Sequence, residues 1–324
     1  MSRPFLGFVL VTYHLPEQTL LLCRRLSEMF GDPPIAIHHD FAQIDLDRSL
    51  FPPNVLFVEN WVRTGWGSMS VVDAQLLALD LLYQVADPDW FITLSTSDYP
   101  IQTAYQIVAD LEARDDIDIF LDSRRIEDLG QRYVNEGLGE LAFEHPRYSQ
   151  GAFNRYVALP LITPRMARRM KQPIESWVVR PHWLIRRLTP FDGSLICYGG
   201  DFWITGRRRI ARFFLDRTPL WHRLYRHFRS RSTPEEAFFH TLLGNTSGLR
   251  VAPYNLRYTD WRGCYAHPRI LGRSDFPRLL EANDHFARKF AFEPELLADL
   301  DAAVAGKALR QSSQHDFSGT RVTP

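Results

Sequence analysis

Cysteine is scarce in this chain. Cys23, Cys197 and Cys264 are the only three, widely spaced and odd in number. That count and spacing exclude a disulfide framework and a clustered zinc site as organising devices. A reducing compartment is the natural setting. Long apolar runs are missing too. Phe5–Val11 is too short for a signal core and is soon followed by Pro16 and Glu17. No run approaches the length needed to cross a bilayer. The expectation is a cytoplasmic protein, with at most peripheral contact at the inner membrane. Charge of one sign is not in excess either. Lys plus Arg and Asp plus Glu each number 38, so the whole chain does not present itself to nucleic acid. A Gly-x-Gly-x-x-Gly fingerprint is absent, which removes the usual dinucleotide signature. No internal repeat is evident.

What is present is a globular composition, 45% hydrophobic and 23% charged over 324 residues. Short β-branched or apolar runs at 5–12, 35–38, 55–58, 90–94 and 117–120 read as buried strands. Between them lie amphipathic stretches near 16–30, 70–84 and 105–114 that read as helices. Strand and helix alternate with short connections for 120 residues, which predicts βαβ units and a mostly parallel sheet. The fold class is α/β, with one domain over 1–300. Within it, 124–195 is an irregular, proline-rich insertion of the kind that usually carries function. The segment 301–324 drifts into polar residues and is expected to be a disordered tail.

In open α/β sheets ligands sit outside the carboxyl ends of the strands. The rim predicted from this rule includes Thr12–His14, His38–Asp40, Asn60 and Ser95–Asp98. The strand Phe91–Leu94 ends in Ser95, Thr96, Ser97 and then one carboxylate, Asp98. Many sugar-nucleotide enzymes end such a strand in two aspartates that hold a divalent metal. Here a hydroxyl stands in place of the first. His38 and His39 point to opposite faces of their strand and cannot share a metal. Asp40 can instead accept hydrogen bonds from a base or ribose.

Thr233-Pro234-Glu235-Glu236 has two readings. Thr233 as N-cap and Pro234 as first helical residue make Glu236 a capping-box partner. Alternatively Glu236 is a carboxylate fixed at a helix start as a general base. Arg288 and Lys289 lie among aromatics on a stretch that can be helical. They either snorkel from a half-buried face or turn inward to a pyrophosphate. Gly199-Gly200-Asp201-Phe202-Trp203 and Trp261 are either packing or platforms on which a sugar ring stacks. The nine arginines between Arg207 and Arg231 read as a solvated helix face, or as a surface for an anionic acceptor, a membrane or an acidic partner.

The order of these motifs is more specific than any one of them. Val11-Thr-Tyr-His14, Ile37-His-His-Asp40, Trp66-Gly-Ser-x-Ser70, Phe91–Pro100, Gly200-x-x-Trp203, Thr233–Glu236, Leu256–Trp261 and Phe286–Phe290 together resemble the core-2/I-branching β-1,6-N-acetylglucosaminyltransferases. Xylosyltransferases and plant glucuronosyltransferases are relatives. The resemblance runs from residue 5 to about 290 and is closest to a soluble, bacterial-type member. It implies a GT-A fold, inversion at the anomeric carbon, and a UDP-sugar donor used without a metal or other cofactor. It implies Glu236 as catalytic base, Asp40 at the uracil, and Lys289 at the phosphates. Arg269, with Arg262 second, is the expected partner of that lysine. Val11, Ser97, Asp98 and Arg288 join the donor set, and Trp203 and Trp261 the acceptor side. The partners implied are a UDP-sugar and a glycan or glycoconjugate. N-acetylglucosamine is the first donor sugar to consider, with xylose or glucuronic acid as alternatives. A non-catalytic UDP- or glycan-binding module is a further alternative.

Overall fold

The computed structural model describes residues 4–126, 152–153, 155–160, 178–179, 188–262 and 267–318. The chain opens with β1 (Leu6–Thr12), α1 (Pro16–Phe30), β2 (Ile35–His39), β3 (Val55–Phe57), α2 (Met69–Val85), β4 (Trp90–Leu94), β5 (Asp98–Pro100), α3 (Ala104–Ala113), β6 (Ile119–Phe120) and β7 (Ser123–Arg125). Short strands β8 (Leu159–Pro160) and β9 (Val178–Val179) pair with each other. Then come β10 (Tyr198–Gly200), β11 (Thr205–Arg207), α4 (Arg208–Leu215), α5 (Pro219–Phe228) and α6 (Phe238–Gly244). The last elements are β12 (Val251–Ala252), β13 (Arg257–Thr259), α7 (Phe276–Glu281), β14 (Phe286–Arg288) and α8 (Pro294–Ser318).

Seven strands form the main sheet in the order β12-β6-β11-β4-β1-β2-β3. All pairings are parallel except those of β11, which runs antiparallel to both β4 and β6. β1 lies between β4 and β2 and is covered on both faces, which is why it reads as an unbroken apolar run. Its side chains alternate between two cores. Val9 packs with α2, α4, α5 and α6 residues such as Leu79, Phe214, Phe228 and Phe238. Phe8 and Leu10 pack on the other side with Leu26, Ile107, Leu297 and Leu300. Chain order reverses at β1, with β2 on one flank and β4 on the other. A crevice is therefore expected beyond Thr12 and Leu94. The α/β domain expected from the alternation is what forms, in the GT-A-like arrangement that the resemblance implied.

A second sheet, β13-β14-β5, sits against that crevice. Arg288 of β14 stands directly opposite Asp98 of β5 in an antiparallel register. The stretch around Arg288 is thus a strand rather than a helix, because its backbone is taken up by β5 and β13. Two further expectations change. No helix begins at Thr233: a single 3-10 turn, Pro234–Glu236, precedes α6. The tail expected to be disordered from residue 301 is helical to Ser318, because Leu296, Leu297, Leu300 and Val304 anchor α8 in the core. Most of the irregular 124–195 segment lies outside the described residues. No described helix is long and apolar enough to cross a membrane.

Candidate functional site

A cavity of about 330 Å³ opens at the carboxyl ends of β1 and β4. Its walls fall into four groups, each set in place by a local feature of the chain.

The cationic wall comes from β14. Arg288 is partly buried, with 13% of its side chain exposed, and its guanidinium lies 4.0 Å over the Trp203 ring. Its Nε stands 3.6 Å from Asp98 Oδ1. Burial lowers its pKa, and Asp98 and Asp201 oppose that shift. Lys289 follows at the strand end, where Leu271 N donates to its carbonyl at 2.8 Å and Phe290 N donates to Ser97 O at 2.9 Å. Among the described residues its ammonium has no ion-pair partner. Burial, then Arg288, lowers its pKa. His14 lines the same wall. Burial, then Lys289, lowers its pKa as well. Arg288, Lys289 and His14, with Asp98 and Asp201 set against them, make a partly desolvated cationic wall that can receive an anion.

The acidic floor is the 3-10 turn. Thr233 takes a left-handed conformation at φ 49° and makes no side-chain cap. The capping-box reading of Glu236 therefore fails. The turn is pinned instead by Thr233 N, which donates to Gly67 O at 3.1 Å. Gly67 itself sits at φ +64°, so a side chain there would be strained as well as crowded by Thr233. Glu236 lines the cavity and accepts a hydrogen bond from Tyr156 Oη at 2.7 Å. Arg155 Nη1 lies 4.0 Å from it. Glu235, beside it, is buried, and among the described residues its Oε2 has no hydrogen-bond partner. Burial, then the neighbouring Glu236, pushes Glu235 up to about 8.

The polar rim contains Val11, Tyr13, Gln43, Thr64, Ser95 and Ser97. Two predicted donor residues act behind it. Asp40 is fully buried and does not line the cavity; its carboxylate accepts from Ala42 N (3.0 Å), Gln43 Nε2 (2.7 Å), Thr64 N (2.7 Å) and Thr64 Oγ1 (2.8 Å). Burial raises its pKa, but these four bonds outweigh burial and hold it below the usual carboxylate range. Asp40 thus sets Gln43 and Thr64 in the wall. Asp98 is likewise buried. Its Oδ2 accepts from Ser95 N (2.7 Å) and Ser95 Oγ (2.5 Å) while Oδ1 faces Arg288. Among the described residues no group of three or more His, Cys, Asp or Glu side chains could hold a metal ion.

The aromatic group is Trp66, Phe202, Trp203 and Trp261. Trp203 is reached through Gly200, where a Cβ would sit 1.7 Å from Asp122 O, so only glycine allows β10 to pass β7 this closely. Trp66 is exposed at the mouth.

Arg269 and Arg262, the expected phosphate partners of Lys289, are not brought to the cavity. Arg262 pairs with Asp260. Arg269 bridges Asp260 and Asp275, and that double pairing raises its pKa. Two carboxylates hold it where a phosphate would have to compete, and His267 and Pro268 reach the wall instead. The second cation beside Lys289 is Arg288. Sequence reasoning missed Tyr156, which lies in the aperiodic segment with no motif around it. It passed over Glu235 as a neighbour of Glu236, and it gave no signal for Gln43 or Thr64.

The arginine run is mostly internal structure. Arg207 donates to Ile117 O and Arg114 O, Arg208 pairs with Asp87 and Asp89, and Arg209 pairs with Asp118. Arg212 pairs with Asp87, Arg223 pairs with Asp192, and Arg231 is buried beside His227. The expected membrane contact has no support in this arrangement.

Comparison with known proteins bears on the family of the chain. The chain is 25% identical over 315 residues to xylosyltransferase 1 of Homo sapiens, which covers 87% of this chain and 29% of the relative. It is 25% identical over 272 residues to the xylosyltransferase 1 of Mus musculus, covering 77% of this chain and 25% of the relative. It is 28% identical over 244 residues to the β-glucuronosyltransferase GlcAT14A of Arabidopsis thaliana, covering 72% of this chain and 47% of the relative. The chain spans between about a quarter and a half of the length of these relatives. The family model described as Core-2/I-Branching enzyme matches residues 35–280, most of the chain, a range that takes in the acidic floor and the aromatic group but not His14, Arg288 or Lys289, and the chain belongs to that family.

Proposed function

We propose that the chain is an inverting glycosyltransferase that moves a sugar from a UDP-sugar to a hydroxyl of a glycan or glycoconjugate, without a metal. One observation carries this reading: a single cavity holds the carboxylate Glu236 on its floor and the cations Arg288 and Lys289 on its wall. Glu236 takes the proton of the acceptor hydroxyl as that oxygen attacks the anomeric carbon. The bond to the diphosphate breaks on the opposite face, and negative charge grows on the leaving UDP. Lys289 and Arg288 stand in place to stabilise it before the reaction begins. Trp203 carries Arg288 and thereby supports the donor side, while Trp261 and Trp66 offer ring faces to sugars.

The relatives are named for xylosyl and glucuronosyl transfer, so UDP-xylose and UDP-glucuronic acid belong beside UDP-N-acetylglucosamine as donors. Calorimetric titration of UDP in EDTA, then with excess manganese, tests the reading. Binding in EDTA that manganese leaves unchanged is expected. Binding that appears only with manganese would overturn the metal-free mechanism. In the same experiment Lys289→Ala weakens UDP binding, while Glu236→Gln keeps it. Glu236→Gln also lowers transfer by more than about 10²-fold, as loss of a general base does.

A further inference from the structure

The floor of the cavity is braced from behind. Tyr156, 3% exposed, donates its phenol proton to Glu236 Oε2 at 2.7 Å. The contact spans 80 residues of sequence and joins the aperiodic segment to the Pro234–Glu236 turn. Thr233 Oγ1 stands 3.5 Å from the same phenol oxygen. The backbone that carries Tyr156 is itself held. His227 Nε2 lies 2.6 Å from Tyr156 O, and Arg231 Nη2 lies 3.3 Å from His227 Nδ1. A guanidinium only donates and a carbonyl only accepts. So Nδ1 is the acceptor, Nε2 carries the proton, and the tautomer is fixed by its neighbours. Burial, then Arg231, keeps His227 neutral, with its pKa pushed down to about 3. The brace therefore persists at any working pH.

We propose that Tyr156 is a positioning residue for Glu236: its hydroxyl keeps the base ionised and fixed in orientation, and the Arg231–His227 pair holds Tyr156 there. The inference rests on the reading of Glu236 as the base. A hydrogen bond donated to the charged form of an acid favours that form. Other charged or titratable groups facing the carboxylate are Arg155, Glu235 and, across the cavity, Asp201, Arg288, Lys289, His14, His267 and Tyr13. Tyr156→Phe keeps the ring and removes only the donor, so it leaves all of these unchanged.

The test needs no substrate. Carbon-13 spectra of glutamate-labelled protein, with the Glu236 signal assigned by Glu236→Gln, follow its titration directly. In Tyr156→Phe the Glu236 titration moves up by about one pH unit, the loss of one charge-assisted hydrogen bond. His227→Gln, which loosens the Tyr156 backbone, moves it in the same direction by less. Tyr83→Phe, which removes a buried phenol hydroxyl elsewhere, moves nothing. An unmoved Glu236 titration in folded Tyr156→Phe overturns the proposal. Should that variant not fold, an unmoved titration in His227→Gln overturns it. With UDP-sugar as substrate, Tyr156→Phe lowers kcat roughly tenfold and leaves the donor KM unchanged. If the unaltered chain releases no UDP from UDP-xylose, UDP-glucuronic acid or UDP-N-acetylglucosamine, the proposed function fails, and the titration still reports on Tyr156.

Discussion

Glu235 holds a proton to about pH 8 because burial penalises its charge, with Glu236 adding to the effect. Glu236 keeps 40% of its side chain exposed. The consequence for stability has a definite sign. Glutamate in the unfolded chain releases its proton near 4.5, whereas the folded chain keeps it to about 8. Between those values the folded state binds more protons, so stability falls as pH rises, and it levels off above 8. Glu235→Gln cannot titrate. Its stability relative to the unaltered chain is unchanged near pH 4.5 and grows to a few kcal/mol by pH 8, on the order expected for a shift of this size. Thermal unfolding of both proteins at pH 5 and pH 8 checks this, and parallel curves would remove the buried-acid assignment. Of these residues, Glu236 and Lys289 were legible as members of an ordered motif series. Asp40 was legible as a rim carboxylate, but its hydrogen-bond partners were not. Its acceptor capacity is consumed by Thr64, 24 residues away, and by the turn at Ala42 and Gln43. Contact at that distance leaves no trace in local spacing.

The elements that were misjudged share a physical cause: a distant partner overrides local preference. Thr233-Pro-Glu-Glu carries every local mark of a helix start. Gly67 captures Thr233 N, the threonine turns left-handed, and the helix is postponed to Phe238. A β-branched residue at positive φ costs on the order of 1–3 kcal/mol, and such strain tends to persist where surroundings over-determine it, as at ligand sites. The Arg288 strand reads as helical until β5 and β13 take its backbone. The last helix shows the same override in the other direction. Its polar composition suggests disorder, yet Leu300 is fully buried in a cluster with Leu26 and Ile107. Asp301 adds a pairing with Arg25 at 2.8 Å and accepts from Tyr99 Oη at 2.9 Å. Leu300→Ala should therefore cost about 2–5 kcal/mol, the range for emptying a leucine site in a packed core. A residue outside the packed core would give no change. Denaturant unfolding distinguishes the two, and a shift in midpoint at constant slope is the expected result.

At the scale of the molecule, alternation of strand and helix announced the sheet, and the sheet placed the crevice. What the sequence left out was how charge is distributed in space. Nine arginines within 25 residues look like an anion-seeking surface when read along the chain. Folded, most meet acids or carbonyls that are remote in sequence: Arg207 at Ile117, Arg208 at Asp89, Arg209 at Asp118 and Arg223 at Asp192. Arg207 also lies 4.5 Å over Trp90, and Arg217 5.5 Å over Trp221. Cations committed in this way are neutralised locally. Beyond a Debye length of about 8 Å at physiological salt, little of the remaining field reaches a lipid surface. Lys289 and Arg288 line the cavity and are recessed from any flat membrane. Co-sedimentation with vesicles rich in phosphatidylserine should leave the chain in the supernatant at about 0.15 M salt. UDP binding, by contrast, should survive that salt, because desolvated charges are screened far less than exposed ones. Pelleting with the vesicles that is reversed by salt, together with loss of UDP affinity over the same range, would place the working cations on the surface. The arginine run, not the cavity, would then be the functional face.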